Sequence, residues 1–222
     1  MSKKWLVGAG VAAAVFAGGA QATLLADGSF ENVALGVGNY GPLLGNYGPG
    51  GSVGPAWTNG SNFVLAIDKT YSEVPLKFLA QAGNIAMDLT GAGNQGPVSL
   101  SQTVSLLAGS YLLSFYLGDI SNSSNYNSSS EVKVLINNVQ QPGTFVNSAG
   151  TSTTNWAQML VPFTLLTGGP TTVAFSTAGL TLDNYTGIDN VVLTAVPEPG
   201  AWLMMLAGMA AVGFMAKRRS ST

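Results

Sequence analysis

Side chains that do chemistry are scarce in this chain, and the scarcity narrows its function. The 222 residues include no histidine and no cysteine. A Ser-His-Asp triad, a thiolate nucleophile and the usual structural zinc sites are therefore excluded. Gly50-Gly51-Ser52-Val53-Gly54 has the spacing of a nucleophile elbow, but there is no imidazole to take the serine proton. Gly36-Val37-Gly38-Asn39-Tyr40-Gly41 fits the dinucleotide fingerprint by letter. Pro42 follows at once, however, and no helix opens there to offer its N-terminal amides to a pyrophosphate. What remains is carboxylate chemistry. Residues 23–196 hold nine acids (Asp27, Glu31, Asp68, Glu73, Asp88, Asp119, Glu131, Asp183 and Asp189) and three lysines, a net charge near −6. A glycosidase needs two carboxylates about 5–10 Å apart across a sugar, and no pair is singled out by its setting in the sequence. The acid excess, with no arginine in this stretch, leaves nothing to neutralise a phosphate backbone, which excludes nucleic-acid binding.

Residues 23–196 read as strands. Apolar side chains recur with period two in Val98-Leu100-Gln102-Val104, in Tyr111-Leu113-Phe115-Leu117 and in Val132-Val134-Ile136. Further strands are expected at 63–67, 84–89, 156–165, 171–177 and 188–195, separated by turn clusters such as Ala-Gly-Asn-Gln-Gly-Pro at 92–97 and Thr-Gly-Gly-Pro at 167–170. Eight to ten short strands without a convincing helix predict an all-β fold, a β-sandwich of the jelly-roll type. Residues 99–118 read as a hairpin turning at Gly109. The stretch 35–57 contains Gly-Asn-Tyr-Gly-Pro twice, with Tyr40 and Tyr47 as its large side chains, and predicts a flexible glycine-proline loop. Residues 119–131, rich in serine and asparagine, predict an exposed loop. Trp57 and Trp156 read as core residues, with sugar stacking as the alternative.

The two ends carry targeting patterns. Lys3 and Lys4 precede an apolar stretch from Trp5 to about Ala20, and Ala20-Gln21-Ala22 gives a small-x-small cleavage site. This predicts a secretory signal peptide over 1–22, cut by signal peptidase after Ala22. At the other end, residues 201–216 are uncharged and apolar, and Lys217, Arg218 and Arg219 follow. A helix of that length falls a few ångströms short of a ~30 Å hydrocarbon core. The basic flank holds its end in the cytoplasm. Pro197 and Pro199, around Glu198, lack amide donors and disfavour helix before them. The expected domains are thus a signal helix over 1–22, a β-sandwich body over 23–196, and a tail over 197–222 with a short transmembrane helix.

Pro197-Glu198-Pro199, the short apolar helix and the terminal Lys217-Arg218-Arg219 cluster, in that order, resemble the PEP-CTERM sorting signal of Gram-negative exported proteins. The resemblance covers the last 25 residues or so. It implies an exosortase-type processing enzyme as partner and transient insertion of the precursor in the inner membrane. It further implies delivery to the cell envelope or extracellular matrix of a bacterium that makes exopolysaccharide. A permanent single-pass anchor is the alternative. The body is similar to galactose-binding-like jelly rolls in Leu-Leu-Ala-Asp-Gly-Ser-Phe-Glu-Asn at 24–32, the 99–119 stretch and Tyr-Thr-Gly-Ile-Asp-Asn-Val-Val-Leu-Thr-Ala at 185–195. That resemblance implies a carbohydrate-binding-like body in which the first and last strands lie side by side. There, Glu31 and Asp189, joined by Asp27, either hold a structural calcium ion or accept hydrogen bonds that fasten the terminal strands. The expectation is a non-enzymatic surface protein associated with polysaccharide. A secreted glycan hydrolase is the rival.

Overall fold

A computed structural model of the chain describes residues 23–36, 43–61, 63–90, 98–121, 126, 129–177, 185–197 and 206–212. The expected signal peptide, with Ala20 and Ala22, lies outside the described residues, as do Tyr40, Asp183, Glu198, Pro199, Lys217, Arg218 and Arg219. In chain order the strands are β1 (Leu44–Tyr47), β2 (Ser52–Val53), β3 (Trp57–Ser61), β4 (Val64–Asp68), β5 (Ser72–Glu73), β6 (Leu76–Lys77), β7 (Ile85–Asp88), β8 (Ser99–Leu106), β9 (Gly109–Asp119), β10 (Ser130–Ile136), β11 (Val139–Gln140), β12 (Phe145–Asn147), β13 (Asn155–Leu165), β14 (Gly169–Thr177) and β15 (Gly187–Val196). Two antiparallel sheets dominate. One has the order β1-β4-β7-β15-β9-β13, the other β11-β10-β14-β8-β3-β2 with β12 beside β10.

The alternation read from the sequence sets the interior. Tyr111, Leu113, Phe115 and Leu117 of β9 face Val132, Val134 and Ile136 of β10 and Val173 and Phe175 of β14 across one apolar core that also holds Trp57. Each such side chain contributes about 1.5–3 kcal/mol on burial. The chain passes repeatedly between the sheets, from β8 to β9, β9 to β10, β13 to β14 and β14 to β15. The molecule is a jelly-roll β-sandwich.

Several expectations need correction. Residues 99–118 do not form a hairpin: β8 pairs with β14 and β3, while β9 pairs with β13 and β15. The connection at 107–108 is an arch between sheets. Two strands with one apolar face each satisfy the same alternation whether they pair side by side or face each other across a core. The stretch 35–57 is not simply a loop, because Leu44–Tyr47 forms an edge strand on β4 and Ser52–Val53 a short hairpin with β3. Tyr47 donates its hydroxyl hydrogen to the Ala34 carbonyl at 2.6 Å.

The opening segment is a strap and not a regular strand. Asp27 and Phe30 take left-handed backbone, φ 48° and 57°, which interrupts any ladder. The strap still lies along the last strand, as expected. Leu24 donates to the Leu193 carbonyl and Val191 to the Gly28 carbonyl, each at 2.8 Å. A Cβ on Gly28 would fall 1.9 Å from the Val191 oxygen. The buried Gln102 amide completes the attachment, accepting from Ala26 N–H and donating to Ala26 C=O, both at 2.8 Å. The strap is thereby bonded to both sheets.

Candidate functional site

Two of the three acids singled out by the sequence, Glu31 and Asp189, meet at the return of one excursion. Between β4 and β7 the chain leaves the sheet, forms the β5–β6 hairpin, and comes back through residues 81–85. Asp189 sits buried on β15, and its Oδ2 accepts the amide hydrogens of Gln81 at 2.7 Å and Ala82 at 2.9 Å. Its Oδ1 accepts from Asn190 N–H at 2.6 Å. Glu31 Oε1 takes the next two amides, Asn84 at 2.8 Å and Ile85 at 2.9 Å, and Oε2 accepts from Asn84 Nδ2 at 3.2 Å. Gly83 bridges the pair with φ +66°, and a Cβ there would stand 2.4 Å from Glu31 Oε1. Burial pushes Asp189 up to about 7; its three amide donors oppose that rise and the like charge of Glu31 adds to it.

Glu31 and Asp189 thus stand near each other, with their oxygens facing N–H donors. Calcium takes six to eight oxygens, so this donor set matches a carboxylate and does not fit a calcium ion as placed. Asp27 stands apart from this turn. Its Oδ1 accepts from Asn32 Nδ2 at 3.1 Å, and its carbonyl accepts from Trp57 Nε1 at 3.0 Å. Asp27 Oδ2 is buried with no hydrogen-bond partner among the described residues. Among those residues no group of three or more Asp, Glu, His or Cys is placed to hold a metal.

The excursion covers the upper outer face of the six-stranded sheet. Beneath it Leu44, Leu65, Ile67, Leu76, Phe78, Ile120 and Tyr185 make a second apolar cluster, with Tyr71 and Tyr126 against it. Phe78 is its hub, with ring centroids 5.5 Å from Tyr71, 5.9 Å from Tyr126 and 5.3 Å from Tyr185. Burial, and after it the charge of Asp88, raises the Tyr185 hydroxyl well above its ordinary pKa. Two glycines opposite one another, Gly118 on β9 and Gly187 on β15, leave room for rings. A Cβ on Gly118 would lie 2.7 Å from the Trp156 ring, and one on Gly187 2.6 Å from the Tyr185 hydroxyl. Trp156 is therefore not an inner-core residue like Trp57. It lies half-buried on the outer face, donating from Nε1 to the Leu79 carbonyl at 3.0 Å.

Below this cover the same face is open. Tyr116, half-buried, stands between Gln158 of β13 and Asp189 of β15, and Asn190 donates from Nδ2 to Gln81 Oε1 at 3.0 Å close by. A ring bordered by amides is a surface on which a neutral sugar can stack and hydrogen-bond. The alternation that sends Phe115 inward sends Tyr116 outward, so its place was available in the sequence. The cover over the upper face was not.

The fold and this site describe a β-sandwich with hydrogen-bonded acids and a polar, partly aromatic outer face. The tail gives the more particular assignment. Residues 195–219 match the PEP-CTERM protein-sorting motif. The match begins on the last residues of β15 and runs through the helix at 206–212. No helix among the described residues is long and apolar enough to cross a membrane. No curated protein matches the chain. Among solved structures it is similar to TmCBM61 in complex with β-1,4-galactotriose, at 15% identity and TM-score 0.46 over 78% of this chain and 99% of that one. It is also similar to the CBM22-1 xylan-binding domain of Paenibacillus barcinonensis Xyn10C, at 14% identity and TM-score 0.42 over 68% and 90%. A family 35 carbohydrate-binding module from Clostridium thermocellum follows, at 16% identity and TM-score 0.37 over 59% and 88%. The sorting motif marks the chain as an exported protein.

Proposed function

We propose that this chain is the precursor of a non-enzymatic cell-surface or extracellular-matrix protein of a Gram-negative bacterium. Its β-sandwich body is released or transferred when an exosortase-type enzyme processes the tail at Pro197-Glu198-Pro199. The observation that carries this reading is the sorting motif at 195–219 joined directly to β15. Intact-mass measurement on protein from the native host tests it: the mature chain should begin at Thr23 and end near Pro199. Recovery of surface protein that still carries residues 201–222 would establish the permanent anchor instead.

Polysaccharide is the partner we assign to the body. Tyr116 with Gln158 and Asn190 supports this reading, as does the absence of charge from β13. Affinity electrophoresis in gels cast with the host's exopolysaccharide should show retardation that Tyr116→Ala abolishes. Equal mobility with and without polysaccharide would end the sugar reading. A hydrolase has less support, because Glu31 and Asp189, two acids whose like charges act on each other, are occupied by backbone amides. Turnover on a glycan panel, lost in Glu31→Gln and Asp189→Asn, would establish it.

A further inference from the structure

The end of the sandwich from which the tail leaves has a property that surface display does not require. Two arches cross between the sheets there, and both are written Leu-Leu-x-Gly. Leu106-Leu107-Ala108-Gly109 joins β8 to β9, and Leu165-Leu166-Thr167-Gly168 joins β13 to β14. In each arch the first leucine packs on the core, while the second stands in solvent, Leu107 81% and Leu166 91% exposed. Turns at solvent ends ordinarily use polar residues. The arches touch: Leu165 lies opposite Gly109 and Gly169 opposite Leu106. A Cβ on Gly168 would come 3.1 Å from the Leu107 Cα. The Tyr111 hydroxyl, bonded to the Leu107 carbonyl at 2.8 Å, pins the first arch in place.

Val196, the last residue of β15, pairs with Ser110 at this same end, and the sorting triplet starts at the next residue. The strap begins close by, since Thr23 Oγ1 accepts the Leu193 amide hydrogen at 3.2 Å. The charges lie elsewhere. No Asp, Glu, Lys or Arg occurs in 104–112, 134–141, 163–173 or 190–197, the stretches whose pairing places them toward this end. In a body with net charge near −6, one end is left free of repulsion from anionic lipid headgroups.

We propose that this end rests on the phospholipid bilayer while the tail is inserted, with the Leu107 and Leu166 side chains in the interfacial layer. The proposal rests on the reading of the tail as a membrane segment. Two protruding aliphatic tips with hydroxyl neighbours, and no charge in either arch, suit a fluid apolar layer better than a shaped protein partner. Two leucines orient a body without anchoring it, because stable attachment takes a second strong signal. Once the tail is cut, the body is free to leave. Until then the contact holds the triplet at a fixed height above the bilayer.

The chain has no cysteine, so single labels are unambiguous. The full chain carrying Leu107→Cys, Leu166→Cys, Met209→Cys or Glu131→Cys is labelled with a polarity-sensitive fluorophore and placed in phosphatidylethanolamine–phosphatidylglycerol nanodiscs with spin-labelled lipid. The expected result is loss of emission at 209 with deep quenchers, loss at 107 and 166 with shallow quenchers, and none at 131. Quenching at 209 alone, with 107 and 166 behaving like 131, overturns the docking and leaves the tail reading intact. No quenching at 209 overturns the tail reading and the docking with it. Labels at 107 and 166 that are shielded from aqueous iodide yet untouched by lipid quenchers mean a protein contact, and also overturn it. In the host, Leu107→Ser with Leu166→Ser should slow tail removal while leaving the melting temperature unchanged.

Discussion

Asp189 is a carboxylate held by three amide hydrogens in a place that disfavours its charge. Its folded pKa, pushed up to about 7 by burial and then by Glu31, lies above the ~3.9 of an unfolded aspartate. The folded state therefore binds the proton more tightly. The associated stability is complete below about pH 4 and is lost as pH rises through 7. In chelator, the melting temperature should fall between pH 5 and pH 8. Asp189→Asn keeps an oxygen for Gln81 and Ala82 and should flatten that slope. An unchanged slope in the variant would assign the pH dependence to another group. Calcium at Glu31, Asp189 and Asp27 is a separate proposal with a structural requirement, since the 81–85 amides would have to give way to oxygen ligands. If calcium binds, melts at a hundredfold excess over Kd should gain about 2.7 kcal/mol, and either Glu31→Ala or Asp189→Ala should remove the gain. Superimposable melts in calcium and chelator would leave the acids as hydrogen-bond acceptors.

The element that depends on these residues is the covering excursion. Its hairpin presents Lys77, exposed, and its return is held by Glu31 and Asp189. Glu31→Ala should free the return, so that trypsin cuts after Lys69 and Lys77 several-fold faster than in wild type, read by mass spectrometry of early fragments. Unchanged cleavage would mean the cluster around Phe78 suffices to hold the cover. Gly187→Ala pushes a methyl group against Tyr185 and should destabilise by about 1–3 kcal/mol in urea titrations. Strands such as β9 and β10 were legible because three or four alternating apolar residues fix both existence and facing. The sheet to which each belongs was not, since alternation is blind to whether a neighbour lies beside the strand or across the core. The cover was illegible for another reason: residues 69–85 have strand pairs of two residues each, and their anchors lie 53 and 108 positions away in the chain. The roles of Gln102 and of Gly118 likewise depend on partners that no local pattern names.

At the scale of the whole molecule, charge is divided between body and tail: acids in the body, and both arginines of the chain at 218 and 219. On the proposed reading of the tail, neutralising Lys217, Arg218 and Arg219 together removes the charge that favours a cytoplasmic end. Full-length precursor should then escape uncut, visible as a heavier secreted band, and wild-type processing would show that these residues do not sort. The six-stranded sheet ends on β13, eleven residues without a charge. Such a margin invites a second molecule to continue the ladder. Pro162, in its middle, offers no N–H to a newcomer. Pro162→Val should therefore turn a solution of separate molecules into one whose light scattering climbs with concentration. For an exported protein the hazard of such a rim is amyloid-like stacking, and a single imino acid there withholds a hydrogen bond that stacking would need.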